Sequence, residues 1–520
     1  MKSDPGACRP SDRPSGYFAS GPALVLYVGA AKLLLHLFTA SPYGIFRDEL
    51  YNLACSQHLD WGGIDHPPLI DLIAWFARHV FGESLLGLRL LPALAGAGLV
   101  VLTGALAREM GGGRFAQALS ALAVLSVPTY LVTDHLLTIN AFEPLIWMGC
   151  VWCVLRAVNG SNPRFWLLFG IMAGVGMETK YSITVFIFGT LVGLLCSGSG
   201  RTLLSPWIWL GVVFALGIFL PNLVWQISHD LPFLGFIRSV RMSGRDVVLP
   251  PVAFIAQQAL VHNPVLFPLW IAGVIWLLFA RRGRRYRILG VTFLVVFTTF
   301  MVLHGKDYYV SPAYPMLFAA GSIVFEDCTV RRWRAARAGY LSILVAFGLL
   351  SMPFVVPVLP IEAFLRYENA LGYRVPASEH QRNGPLPQYY ADEFGWENMV
   401  RATAKAYDQL SPSDRAKADI FANDWGQAAA IDFFGPRYGL PRAICNHANY
   451  WLWGPRQFRG AVVLVLGSDG AGDREYFRTV EPVGLADSPH SRLDEHFTIW
   501  LGRDLQFNLR ERWPTMRKWD

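Results

Sequence analysis

The chain sets two acidic side chains next to each other in Arg47-Asp48-Glu49-Leu50-Tyr51, and a second dense run, Asp60-Trp61-Gly62-Gly63-Ile64-Asp65-His66-Pro67-Pro68, follows closely. Adjacent carboxylates beside apolar segments are costly to keep unless they are solvated or used. A carboxylate held against a hydroxyl or amine takes its proton as general base while a new bond forms. Further on, Thr179-Lys180-Tyr181 and His304-Gly305-Lys306-Asp307-Tyr308-Tyr309 place single cations and aromatic rings at the ends of apolar runs. Fixed cations in a poorly solvated site stabilise the negative charge that grows on a leaving group. Paired acids and isolated cations are therefore the parts of a group transfer. Each residue also has a blander reading: a lysine at a helix end snorkels to the interface, and Arg47 pairs with Glu49.

The scaffold that must position these residues is a membrane one. Over 520 residues the composition is 53% hydrophobic and only 16% charged, with positive mean hydropathy, too apolar for an ordinary soluble enzyme. A spanning helix needs about 20 mostly apolar residues. On that ruler eleven segments qualify, near 23–40, 85–107, 115–133, 141–158, 164–178, 181–199, 206–228, 264–280, 287–304, 309–325 and 338–358. The net charge of +7 falls in short clusters between apolar runs, such as Arg281-Arg282-Gly283-Arg284-Arg285 and Arg331-Arg332-Trp333-Arg334. That pattern fits topology signals better than a nucleic-acid groove. With 1–22 as a cytoplasmic tail, every basic turn falls inside, and the same parity sends Asp48, Glu49, Asp65, His66, Asp134, Lys180, His304 and Lys306 to the opposite face.

Segment 69–82 carries apolar residues at helical spacing and is expected along the interface; 47–58 is expected helical. After residue 360 the apolar runs shorten and charges rise. Strands are expected at 419–421, 461–466 and 497–501, and helices at 426–434 and 473–480. The expected architecture is a polytopic α-helical membrane protein of about eleven transmembrane helices with interfacial loop helices (23–359), followed by a C-terminal soluble α/β domain (360–520). Seven cysteines are scattered, and those in or beside apolar segments, Cys55 among them, lack metal-ligand flanks. Neither a disulfide framework nor a zinc site is expected. In the C-terminal domain, Tyr450-Trp451-Leu452-Trp453 reads equally as a sugar-stacking surface or as packing onto the membrane part.

The carboxylate pair after the first span, the Asp-His-Pro-Pro turn before an interfacial helix, Thr179-Lys180-Tyr181, and the late Lys306-Asp307-Tyr308-Tyr309 segment with Pro312 and Pro315 together resemble the protein mannosyltransferase family, glycosyltransferase family 39. That family has the membrane fold shared with lipid A aminoarabinose transferases. The resemblance covers roughly residues 40–330. It implies hexosyl or pentosyl transfer from a polyprenyl-phosphate donor to an acceptor, with Asp48 as general base and Glu49 as its catalytic neighbour, orienting the acceptor or a cation. It implies donor-phosphate binding by Arg47, Lys180 and Lys306, seconded by His66 and His304. Substrate contacts fall to Asp65, Tyr51, Tyr308, Tyr309, Asp134 and Asn140. The stretch Thr133–Asn140 is similar to a family segment that often ends in Asp; with Asn140 there, an acidic role at that position is open.

No cofactor is expected. Histidines and acids are dense on this face, but no HExxH or comparable spacing appears, and a divalent metal is not favoured. The expected partners are a polyprenyl-phosphate-linked sugar and membrane lipid, with the acceptor open among protein, lipid A and glycan, and no nucleic acid. A lipid or solute transporter or flippase is the alternative reading, but inverted repeats and broken midplane helices are not seen. A sensor or scaffold is a third. A multi-pass protein of the bacterial inner (plasma) membrane with its C-terminal domain in the periplasm is the expected setting.

Overall fold

The computed structural model describes residues 17–160, 162–329, 334–377, 379–380, 382 and 384–519. Most of the expected cytoplasmic tail and Arg331-Arg332-Trp333 lie outside the described residues. Among the described residues, six helices are long and apolar enough to cross a membrane: Gly21–Phe38, Leu85–Glu109, Ile139–Val158, Pro206–Ser228, Gly283–Val302 and Ala335–Phe354. Pro251–Val261 and Pro264–Phe279, bent by 102°, make a seventh if counted as one span. The break has a local cause. Asn263 adopts a positive φ of 71°, and Pro264 has no N–H with which to continue the first arm.

The eleven expected spans are not reproduced as eleven long helices. Arg114–Leu125, Phe165–Thr179 and Ile183–Cys196 are apolar but short. The 115–133 segment divides before Pro128 into Arg114–Leu125 and Pro128–Thr133. The segment at 309–325 begins as a 3-10 turn, Asp307–Ala313, and becomes α-helical only at Tyr314. Helices Phe267–Phe279 and Tyr314–Thr329 pack backbone to backbone: a Cβ on Gly321 would stand 1.9 Å from the Leu269 carbonyl oxygen. Such small-residue contacts are how helices approach closely in lipid.

One end of the bundle gathers the basic turns. Arg156 pairs with Glu109 at 2.9 Å, Tyr286 donates to Asn159 Oδ1 at 3.2 Å, Glu326 accepts the Gly113 N–H at 2.6 Å, and Arg282 pairs with Asp327 at 2.7 Å. At the other end lie the two loop helices, Arg47–Cys55 and Leu69–Phe81. The second buries Ile70, Asp71, Ala74 and Ala77 and exposes Leu72, Trp75, Phe76 and Val80, the amphipathic division of a helix lying in an interface.

The C-terminal part holds a five-stranded sheet of β1 (Ala418–Ala422), β2 (Ala443–Cys445), β3 (Val462–Leu466), β4 (Phe477–Ala486) and β5 (Phe497–Leu505) in the order β2-β1-β3-β5-β4. The first three pair parallel, and β5 and β4 are antiparallel. Strands β1, β3 and β5 and the helix Trp425–Phe434 stand where the sequence put them. The expected helix at 473–480 is a correction: a 3-10 turn, Gly472–Glu475, runs into edge strand β4. Pro482 sits at the register shift of that strand, a position an edge tolerates, and Phe477 anchors it against Val463 and Val465.

Candidate active site

Helix Arg47–Cys55 starts with its acids in the first turn, where they favour the positive end of the helix. Glu49 is fully buried. Its Oε2 accepts the Phe46 N–H at 2.9 Å and its Oε1 the Leu137 N–H at 3.0 Å. Arg89, from the second turn of the span Leu85–Glu109, grips both oxygens at 3.0 and 2.8 Å. The same guanidinium reaches Glu393 of the C-terminal part at 3.0 Å and the carbonyls of Ala40 and Gly44. Burial pushes Glu393 up to about 8, against Arg89 and with the Glu49 charge beside it. At this joint a Cβ on Gly44 would meet the Glu393 carbonyl oxygen at 2.0 Å, so the two parts touch through bare backbone.

Between the loop helices, the far ends of the spans and the sheet domain lies a cavity of about 1680 Å³. Eleven of the thirteen residues singled out from sequence line it: Arg47, Asp48, Tyr51, Asp65, His66, Asn140, Lys180, His304, Lys306, Tyr308 and Tyr309. Two do not. Glu49 points away from it into the Arg89 clasp, with both oxygens taken, so it has no free lone-pair direction toward a substrate. Asp134 is buried against Lys32 Nζ at 2.5 Å, its charge neutralised inside the bundle. Neither placement supports direct contact with substrate.

Asp48 is half-buried. Burial, reinforced by Asp392, Glu379 and Asp65, pushes its carboxyl up to about 7 against the pull of Arg47. Arg47 pairs with Asp424 at 3.0 Å, not with Glu49, and lies 4.0 Å over the Trp425 ring. Lys180 donates to Asn140 Oδ1 at 3.0 Å and to Glu143 at 3.1 Å and lies 4.3 Å over the Tyr309 ring. Lys306 contacts Glu379 at 2.5 Å and Asp246 at 3.2 Å. Burial works against its charge, but Tyr308, Tyr309 and these acids hold it well above the usual lysine range. For Glu379, burial favours the neutral acid, yet Lys306 and Arg245 outweigh it and hold the carboxyl down at about 2. His66 lies between Asp65 at 3.2 Å and Asp71 at 3.0 Å, so both ring nitrogens are engaged and the ring is a poor phosphate donor.

Sequence reasoning missed the third wall. Arg245, Asp246, Glu379, Asp392, Asp424 and His447 all line the cavity, and His447 Nδ1 lies 3.5 Å from Asp424. The Tyr450–Trp453 run packs the domain down: Trp453 stacks on His58 at 4.2 Å, and the neighbouring Asn449 accepts the Ile64 N–H at 2.8 Å. The rest of the lining includes Phe233, Ile237, Val240, Leu260, Val302 and Leu303, an apolar section beside the charged one.

Comparison with known proteins agrees with these motifs. Residues 65–225 match the family model for dolichyl-phosphate-mannose-protein mannosyltransferase. No curated protein sequence matches the chain. ArnT from Cupriavidus metallidurans in its crystal structure bound to undecaprenyl phosphate superposes with a TM-score of 0.60 and 17% identity, covering 92% of this chain and 97% of that one. Its apo structure gives 0.63 and 16% over the same shares. The chain is therefore a polytopic membrane protein with the ArnT fold and a C-terminal sheet domain, and from Asp65 to Trp225 it resembles the protein mannosyltransferases.

Proposed function

We propose that the chain is a glycosyltransferase that moves a sugar from a polyprenyl-phosphate donor to an acceptor on the non-cytoplasmic face, in a bacterial inner membrane with the sheet domain in the periplasm. One observation carries this reading: Asp48 and the cations Lys180 and Lys306 line a single cavity, at the end of the bundle opposite the basic turns. A carrier such as the undecaprenyl phosphate held by ArnT has a prenyl tail suited to the apolar lining and a phosphate suited to the cations.

In the reaction, an acceptor hydroxyl or amine attacks the anomeric carbon and passes its proton to Asp48. The bond from that carbon to the phosphate oxygen breaks, and its electron pair stays on the lipid phosphate. Lys306 and Arg245 meet that charge in a low-dielectric site, with Lys180 behind them, and the phosphate takes the place of Glu379 beside Lys306. Asp392, Asp424 and His447 form the wall from which the acceptor approaches, whether protein, lipid A or glycan, and whether the sugar is a hexose or a pentose.

Proteoliposomes holding the purified protein, given a panel of polyprenyl-phosphate sugars and an envelope extract, should yield an acceptor heavier by one sugar in mass spectrometry. Transbilayer movement of lipid or solute with no glycosidic product would favour the flippase reading instead.

A further inference from the structure

At the Asp-His-Pro-Pro turn, three residues that no motif links come together. Cys55 ends helix Arg47–Cys55, His66 sits in the turn, and Asp71 lies in the first turn of Leu69–Phe81. The thiol sulfur, a ring nitrogen and a carboxylate oxygen all lie within 4.8 Å of one another. The three residues are 2%, 4% and 8% exposed. His66 Nε2 stands 3.0 Å from Asp71 Oδ1, while its Nδ1 faces Asp65 at 3.2 Å. Asp65 is fixed in turn by the Tyr51 hydroxyl at 2.9 Å, and Asn449 Nδ2 touches Cys55 Sγ at 3.4 Å.

A histidine clasped between two aspartates satisfies its own hydrogen bonds and has no need of a thiol. The added sulfur changes the chemistry of the group: thiolate, imidazole and carboxylate together suit a borderline-soft divalent ion. Bonds of about 2.0–2.3 Å place tetrahedral ligand atoms roughly 3.3–3.8 Å apart, a spread these three atoms can adopt with small shifts. The Asp65–His66 contact is the kind of outer carboxylate that orients a ligating ring and fixes which nitrogen faces the ion.

We propose that Cys55, His66 and Asp71 form a binding site for a divalent transition-metal ion of the zinc class, with a fourth position left to water or to the Asn449 side chain. The ion ties both loop helices to the Asp-His-Pro-Pro turn and so holds Asp65 and Tyr51 at the cavity wall. It takes no part in the transfer step, and the site stands whether or not the proposed transfer does.

Full-length protein in detergent, stripped with a chelator and titrated with Co²⁺, should bind one equivalent and develop a thiolate-to-cobalt charge-transfer band, which Zn²⁺ then displaces. Cys55→Ser should abolish the band, and Asp65→Asn should weaken the ion's binding by about 10–100-fold. Wild-type protein without the band at saturating Co²⁺ overturns the site, with no variant needed. A band of equal intensity in Cys55→Ser overturns it as well.

Discussion

Asp48 and Glu49 are neighbours in sequence, but successive residues on a helix point about 100° apart. The first therefore faces the cavity and the second faces the span that carries Arg89. Burial and nearby acids set the Asp48 carboxyl at about 7, so it is protonated below that value and a base only above it. The rate at low substrate should then climb roughly tenfold per pH unit on the acid side and level off above neutrality; a profile flat from about pH 5 to 8 contradicts the role. Glu379, held at about 2, stays charged throughout this range and competes with phosphate for Lys306. Glu379→Gln should lower the donor KM by about 10-fold, some 1.4 kcal/mol, with kcat little changed. A KM that does not fall argues against Lys306 as a phosphate ligand. The residue types of this site were legible because lone charges among apolar runs are conspicuous. Glu379 was not, since it lies in an irregular stretch of a polar domain.

At the scale of elements, the Arg89 guanidinium is the buried charge that clasps helix Arg47–Cys55 through Glu49. Removing one partner of a buried ion pair costs about 3–5 kcal/mol because the other charge is left without a counterion. Arg89→Leu should lose about that much stability in thermal denaturation of the detergent-solubilised protein. Arg401→Ala, breaking the exposed pair with Glu397, should leave the melting transition almost unchanged. Equal effects would mean the joint does not rest on Arg89. Loop helix 69–82 was readable from the spacing of its apolar residues, and 47–58 was expected helical without such a pattern. The break at Pro128 was not readable, because hydropathy averages over a proline, the arm Pro251–Val261 was not counted as part of a span, and β4 was misread because an edge strand with a polar outer face carries little alternation. Arg89 itself was hidden inside an apolar run that reads as an ordinary span.

For the whole molecule, the topology follows from the two unlike ends of the bundle. With the native exposed cysteines replaced by serine, a cysteine at Asp469 should react with an impermeant thiol reagent in intact spheroplasts. One at Arg284 should react only after permeabilisation. Labelling of both from one side would break the assigned parity. That charges from distant segments meet on one face was legible, because positive clusters fix the inside. The domain's share of the cavity was not. Arg47 and Asp424 pair across 377 residues, and no local spacing encodes such a contact.

The most direct test is sugar transfer from a polyprenyl-phosphate donor by purified Asp48→Ala protein, alongside wild type and checked for an unchanged melting transition. The account predicts that transfer is lost while the fold is kept. Transfer at the wild-type rate by the folded variant would contradict it.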